Sequence, residues 1–278
     1  MILANAFRAN IGQASFLSDS EGFAMFVGNY KQVKIALIGY GKMGQAIENA
    51  ALSLEHEIVA RVSQETGQEE WDKVSEADVA IEFTAPHAAV ENIRRCFALN
   101  IPVVVGTTGW YDEYEELKSE AEQQAHSLLT ATNFSLGVNI FFEINKQLAE
   151  LMAPHTSYEV RLEEVHHTQK LDAPSGTAIT TALQAIARLP WKKTWKLVED
   201  ESEEFSPSTL PIVAKRIDEV PGTHTLTYES AIDSIEIKHT AHSRAGFAFG
   251  AVAAAEWLRG KTGVFTMENV IKNTLSLD

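Results

Sequence analysis

His166 to Ala178 read HHTQKLDAPSGTA. Two adjacent imidazoles can exchange protons near neutrality. Lys170 adds a fixed cation. Pro174-Ser175-Gly176-Thr177 opens an apolar helix, where backbone N–H groups and hydroxyls receive an anion. Taken alone, a His-His pair is an ordinary surface feature and Pro-Ser-Gly-Thr an ordinary helix cap. Joined with Lys170 in one short unit, they point to proton transfer on an anionic substrate such as a carboxylate. No metal is expected: adjacent histidines rarely converge on one ion, and the spacing offers no third ligand.

A second group lies near the start. Gly39, Gly41 and Gly44 fit G-x-G-x-x-G between an apolar β-branched run, Val33 to Ile38, and an apolar-striped helix from Gln45 to Leu54. In that context the first glycine permits a tight turn, the second lets backbone approach a pyrophosphate, and the third allows close helix–strand packing. The acid that usually follows about 20 residues later, for ribose hydroxyls, is not evident. Ser63 and Gln64 stand at that strand end, with Arg61 just before and Glu65 just after. An acid there would favour NADH; hydroxyl and amide groups near a cation would accept the phosphate of NADPH. Both stay open. Gly106-Thr107-Thr108-Gly109 and Ala131-Thr132-Asn133-Phe134 each follow an expected strand. Alone they are common turn chemistry.

The elements that must position these groups alternate. Strands are expected at 33–38, 58–62, 78–83, 102–105 and 128–131, with helices at 45–54, 87–99 and 111–126 between them. That order implies a parallel sheet covered on both faces. Beyond Phe134 the pattern changes to helix 139–152, strand 159–165 and helix 179–188. A charged connection follows at 191–211, then strands at 212–216, 222–228 and 234–239. Helices at 247–258 and 265–275 end the chain. The fold class is therefore α/β: a Rossmann-type parallel sheet, 33–133 completed by 246–278, with an inserted α+β domain, 134–245. Arg216, His224, His239, Ser243 and Arg244 lie on or beside the later strands and read as polar pairing between strands, with Arg244 also placed to face a cofactor. The acids from Asp112 to Glu122 read as a solvated helix face.

The 278 residues are 45% hydrophobic and 22% charged, which suits a globular protein. Net charge is −15, from 23 basic and 38 acidic residues, so nucleic acid and anionic membrane are not expected partners. No apolar run approaches the roughly 20 residues that span a bilayer. One cysteine, Cys96, excludes an internal disulfide and fits a reducing cytoplasm. Residues 1–32 read as an irregular extension or an overlong start, with Met25 a second candidate beginning.

The histidine-rich stretch resembles the signature of the 4-hydroxy-tetrahydrodipicolinate reductase family. Glu163, His166, His167, Lys170, Asp172, Pro174, Ser175, Gly176, Thr177 and Ala178 fill its fixed positions, and the likeness runs from about Val33 to the C-terminus. The resemblance implies an NADH- or NADPH-dependent reduction of a small dicarboxylate in lysine and diaminopimelate synthesis. It implies His166 and Lys170 as general acid/base and proton donor. It implies His167, Ser175, Gly176, Thr177 and Thr108 as substrate contacts. For the cofactor it implies Gly39, Gly41, Lys42, Met43, Gly44, Phe83, Gly106, Thr107, Thr108, Ala131, Asn133 and Phe134. The family's glycine loop often holds one more residue, which shifts individual loop contacts by one position. The substrate-binding and oligomerisation roles of the inserted α+β domain are implied by the resemblance too, as is a homotetramer built through that domain's sheet. Two other classes compete: a different Rossmann oxidoreductase acting on a small carbonyl or imine, and a non-catalytic nicotinamide-binding regulator.

Overall fold

The structure, a computed structural model, describes residues 32–199, 205–243 and 245–274. The readings of residues 1–31 and of Arg244 fall outside these. The chain divides into two compact units. The first holds the residues up to Thr132 with Ala248–Thr266; the second holds Asn133–Phe247 with Met267–Lys272.

In the first unit β1 (Lys34–Ile38), β2 (Glu57–Val62), β3 (Val79–Glu82), β4 (Val103–Val105), β5 (Ser127–Thr130) and β11 (Gly263–Thr266) form one sheet, ordered β11-β5-β4-β3-β1-β2. Every pairing in it is parallel. Both faces of a parallel sheet are covered, so its strands are continuous apolar runs rather than alternating ones. β3 and β4 are buried along their whole length. Helices α1 (Lys42–Ser53), α2 (Gln68–Asp72), α3 (Pro86–Ala98) and α4 (Tyr114–Gln123) fall between the strands. The chain leaves β1 for β2 on one side and returns to β3 on the other. Such a reversal opens a crevice at the carboxyl ends of the strands.

The second unit pairs β7 (Thr194–Val198), β8 (Thr209–Arg216), β6 (Glu159–His166), β9 (Gly222–Glu229) and β10 (Ser234–Ala241) in the order β10-β9-β6-β8-β7. β6 runs parallel to β8 and antiparallel to β9. α5 (Leu136–Met152) and α6 (Gly176–Ile186) supply Ala149, Met152, Ala178, Ala182 and Ala185 to a core shared with Val160, Leu162, Leu210, Ile212, Leu226 and Tyr228. α7 (Ala245–Leu258) belongs mostly to the first unit and α8 (Met267–Thr274) mostly to the second. No helix among the described residues is long and apolar enough to cross a membrane.

Three elements depart from the sequence reading. The expected surface connection 191–211 contains β7, and Lys192 within it is 2% exposed, its ammonium held by Glu159 and the carbonyls of Pro207 and Thr209. β7 is an edge strand, and edge strands carry polar residues that mimic a loop. The expected helix 265–275 begins as β11, whose four residues pair with β5 across a long sequence gap. α2 was not expected; five residues are too few for a helical period to register.

Candidate active site

The first unit carries the glycine loop as G-x-G-x-x-G chemistry requires. Gly39 has φ +99, and a Cβ there would meet the Phe83 carbonyl oxygen at 1.9 Å. A Cβ at Gly44 would meet the Gly39 oxygen at 2.1 Å, so this glycine is the packing one. Around Gly41 nothing lies within 4 Å. Gly41 is also the N-cap of α1, makes no side-chain cap, and is followed by no acid in the first turn. The first amides of a helix have no intrahelical acceptor and carry the positive end of its dipole. They are left for an anion.

A cavity of about 690 Å³ adjoins this loop, lined by Gly39, Tyr40 and Gly41 on one side and by Ser63, Gln64 and Glu65 at the end of β2. Phe83, Thr84 and Asn92 close it near β3. Phosphate-binding amides, an open glycine and hydroxyl- and amide-bearing residues fit a dinucleotide. Arg61, the cation noted beside Ser63, is already committed: its guanidinium binds Glu48, which Tyr40 also contacts. A hydrogen bond from Arg61 holds the Glu48 carboxyl below its usual range, against the effect of burial.

Other expected cofactor residues serve the frame. Gly106 leaves room for the Phe83 ring, which a Cβ would meet at 2.0 Å. Thr107 is buried and its hydroxyl accepts from the Thr84 amide at 2.7 Å, tying the ends of β3 and β4. Thr108 is exposed. Lys42 and Met43 open α1, the first exposed and the second half-buried. Ala131 is half-buried just past β5. Asn133 accepts from the Ser135 amide ahead of α5, and Phe134 is buried. Glu82 ends β3 fully buried, bonded by the Thr84 hydroxyl, and burial pushes its pKa up.

The second unit builds its site from the two-residue period of β6. Val160, Leu162, Glu164 and His166 are its buried positions, so the apolar face becomes ionisable at its last two members. Glu164 is fully buried; both its oxygens accept from the Ser175 amide, at 3.1 and 3.0 Å, and one accepts from Arg216 at 3.2 Å. His166 Nδ1 lies 3.5 Å and His224 Nε2 3.7 Å from the other oxygen. Register explains the convergence, since Glu164 pairs with His224 on β9 and His166 with Arg216 on β8.

Burial pushes the Glu164 carboxyl up, but hydrogen bonds from His224 and Ser175, with the nearby His166, outweigh it and hold its pKa at about 2. Burial lowers His166 to about 4; Glu164 opposes that, while His224, Lys170 and Arg216 add to it. His166 is therefore a neutral imidazole near pH 7.

Lys170 is paired with Asp172 at 2.8 and 2.9 Å. Arg216 clamps the same loop through the carbonyls of Lys170 and Asp172, at 3.3 and 2.6 Å. His167 is half-buried just past β6. Ser175 caps α6, its hydroxyl accepting from Ala178 and lying 3.2 Å from His224 Nε2. The Ser175 amide is therefore occupied, and the amides left by helix geometry are those of Gly176 and Thr177. Glu163, counted in the signature, faces the other way to Lys215; the buried acid is Glu164. Arg216 and His224, read from sequence as strand pairing, belong to this cluster. Glu164, His166 and His224 place one ligand atom each within 4.8 Å of one another, a third candidate ligand the sequence reading lacked. Ser175 and Arg216 already hold the Glu164 oxygens, and a metal cation would stand against the guanidinium.

An open anion-binding loop on a parallel sheet, and a separate unit holding a buried imidazole beside a lysine, define a two-unit nicotinamide-dependent oxidoreductase. Residues 33–134 match the model of the dihydrodipicolinate reductase N-terminus, and residues 137–271 that of its C-terminus. The chain belongs to the dihydrodipicolinate reductase family. It is 49% identical over 241 residues to the 4-hydroxy-tetrahydrodipicolinate reductase of Christiangramia forsetii, covering 87% of this chain and 98% of that protein. The Methanosarcina barkeri enzyme of the same name is 36% identical, over 72% of this chain and 74% of that one. In fold it is similar to a dipicolinate-bound dihydrodipicolinate reductase from Paenisporosarcina sp. TG-14, with TM-score 0.69, 23% identity, and coverage of 86% and 99%.

Proposed function

We propose that this protein reduces 4-hydroxy-tetrahydrodipicolinate to tetrahydrodipicolinate, a step of lysine and diaminopimelate biosynthesis. The observation that carries the reading is a buried imidazole, His166, joined through one short signature to Lys170 and to the turn that opens α6. The conversion adds two electrons and two protons and releases water. When bound, the nicotinamide supplies the hydride. His166 handles the proton. Two substrate carboxylates bring negative charge beside it and favour its protonated form. Lys170 exchanges Asp172 for a substrate carboxylate and shares in proton delivery. The amides of Gly176 and Thr177 receive a carboxylate, with Ser175 holding the turn and His167 a further polar contact. Thr108 joins this set on the resemblance alone.

For the cofactor, the reading assigns the pyrophosphate to Gly39, Gly41, Lys42, Met43 and Gly44. The nicotinamide end falls to Phe83, Gly106, Thr107, Thr108, Ala131, Asn133 and Phe134. Ser63 and Gln64 neither demand nor repel a ribose phosphate, so the cofactor is NADH or NADPH. A cytoplasmic homotetramer completes the proposal. The deciding experiment couples the protein to dihydrodipicolinate synthase and follows NADH and NADPH separately. Oxidation of neither would sink the proposed activity.

A further inference from the structure

We infer that Glu164 is the positioning residue of this reaction: one buried carboxylate that sets the His166 imidazole and the Ser175–Gly176–Thr177 turn together. The inference rests on the roles just given to His166 and the turn. A buried carboxylate is costly unless donors surround it. Well-packed apolar residues of similar volume are often at least as stabilising as a buried ion pair. Core packing alone therefore does not account for an acid at this position, where Val160 and Leu162 precede it on the same face.

Its contacts join separate pieces of the chain. The Ser175 amide donates to both oxygens, which fixes the start of α6 against β6. Arg216, from β8, donates to one oxygen and also holds the loop of Lys170 and Asp172 by two carbonyls. His224, from β9, stands between Glu164 and the Ser175 hydroxyl. His166 turns Nδ1 toward the carboxylate. Its Nε2 faces Gly222, where a Cβ would come within 3.1 Å, so the absence of a side chain keeps that edge clear. A carboxylate at Nδ1 favours the tautomer with its proton there and leaves Nε2 to exchange the reacting proton. The same charge stabilises the imidazolium once formed. The charged and titratable groups facing His166 are Glu164, His224, Lys170 and Arg216, with Asp172 bound to Lys170.

Glu164→Gln keeps the shape and an oxygen for the Ser175 amide while removing the charge. The test measures turnover, dipicolinate binding, melting temperature and the His166 titration by NMR of labelled histidine. Turnover should fall by roughly tenfold or more, part of the roughly hundredfold that a general acid contributes. The His166 titration should move to lower pH, because the carboxylate facing Nδ1 has lost its charge. Dipicolinate affinity should change less than turnover. Parental turnover, or a loss of turnover with the His166 titration unmoved, would overturn the inference. Glu164→Asp serves if the first variant does not fold. It retains the charge but shortens its reach to the turn and to His166, so the His166 titration should move less than in Glu164→Gln while turnover falls. Parental turnover in that variant also overturns the inference. The titration needs no substrate, so a parent protein inactive in the coupled assay would discredit the activity without touching this measurement.

Discussion

The glycine loop of the first unit and the imidazole–carboxylate cluster of the second solve opposite problems. The loop works by lacking side chains: Gly41 has open space around it, and α1 begins without a cap. Its polar groups are backbone amides left for a ligand. The cluster works by burying charge. Glu164 is fully covered, and the Ser175 amide and Arg216 donate to it. Changes at the loop should therefore separate binding from stability. Changes at the cluster should couple proton transfer, binding and pH.

The largest effect expected is on His166. His166→Gln should lower turnover by roughly a hundredfold or more while the protein folds, the scale of a lost general acid. Equal turnover in variant and parent would remove the cluster from the chemistry. The two glycines test the loop against itself. Gly44→Ala places a Cβ 2.1 Å from a backbone oxygen and should cost about 3 kcal/mol, the upper range for overpacking. Gly41→Ala meets nothing, so its melting temperature should stay parental while the Michaelis constant for cofactor rises. If both behaved alike, the loop would be merely structural.

Lys170→Met should weaken dipicolinate binding by roughly tenfold, as a lost charge-assisted hydrogen bond would. It should also slow turnover. Calorimetry with unchanged affinity would take Lys170 out of the pocket.

Acid stability sharpens the contrast further. His166 titrates near 4 when folded, below its usual 6.5, so the unfolded chain binds more protons between those values. Its contribution is complete above about pH 6.5 and lost as pH falls toward 4. Glu164, held at about 2 from 4.5, adds a further loss below about pH 4.5. Melting temperatures should thus decline from pH 6.5 downward, and His166→Gln should flatten the upper part of that decline. An unchanged slope would mean His166 is not the group responsible. The smallest effect expected is from removing residues 1–31. They precede β1, which starts at Lys34, so turnover and cofactor affinity should stay near parental. Loss of cofactor binding or of turnover in the truncated protein would show that prediction wrong.

Much of this was legible in the chain. Glycine spacing between an apolar run and a helical stripe identifies a dinucleotide loop, because each glycine answers a local backbone demand. The histidine–lysine–serine signature is contiguous, so its chemistry can be read without knowing the fold. β1 to β5 of the first unit are short, mostly apolar runs and could be placed to within a few residues; β11 could not. Tertiary structure alone decided the rest. Glu163 and Glu164 are neighbours of one type; the two-residue period of β6 puts Glu164 on the face of Val160 and Leu162, but only the fold shows which donors meet it there. Arg216 and His224 lie about fifty residues or more beyond β6, and pairing of β8 and β9 with it brings them to one carboxylate. Edge strand β11 exists through β5, a partner far back along the chain, while polar β7 gains its strand form only by pairing with the neighbouring β8. Local conformational preference and contiguous motifs are properties of the sequence itself. Which polar groups share one buried volume, and so what protonation state each holds, depends on contacts that the chain makes only when folded.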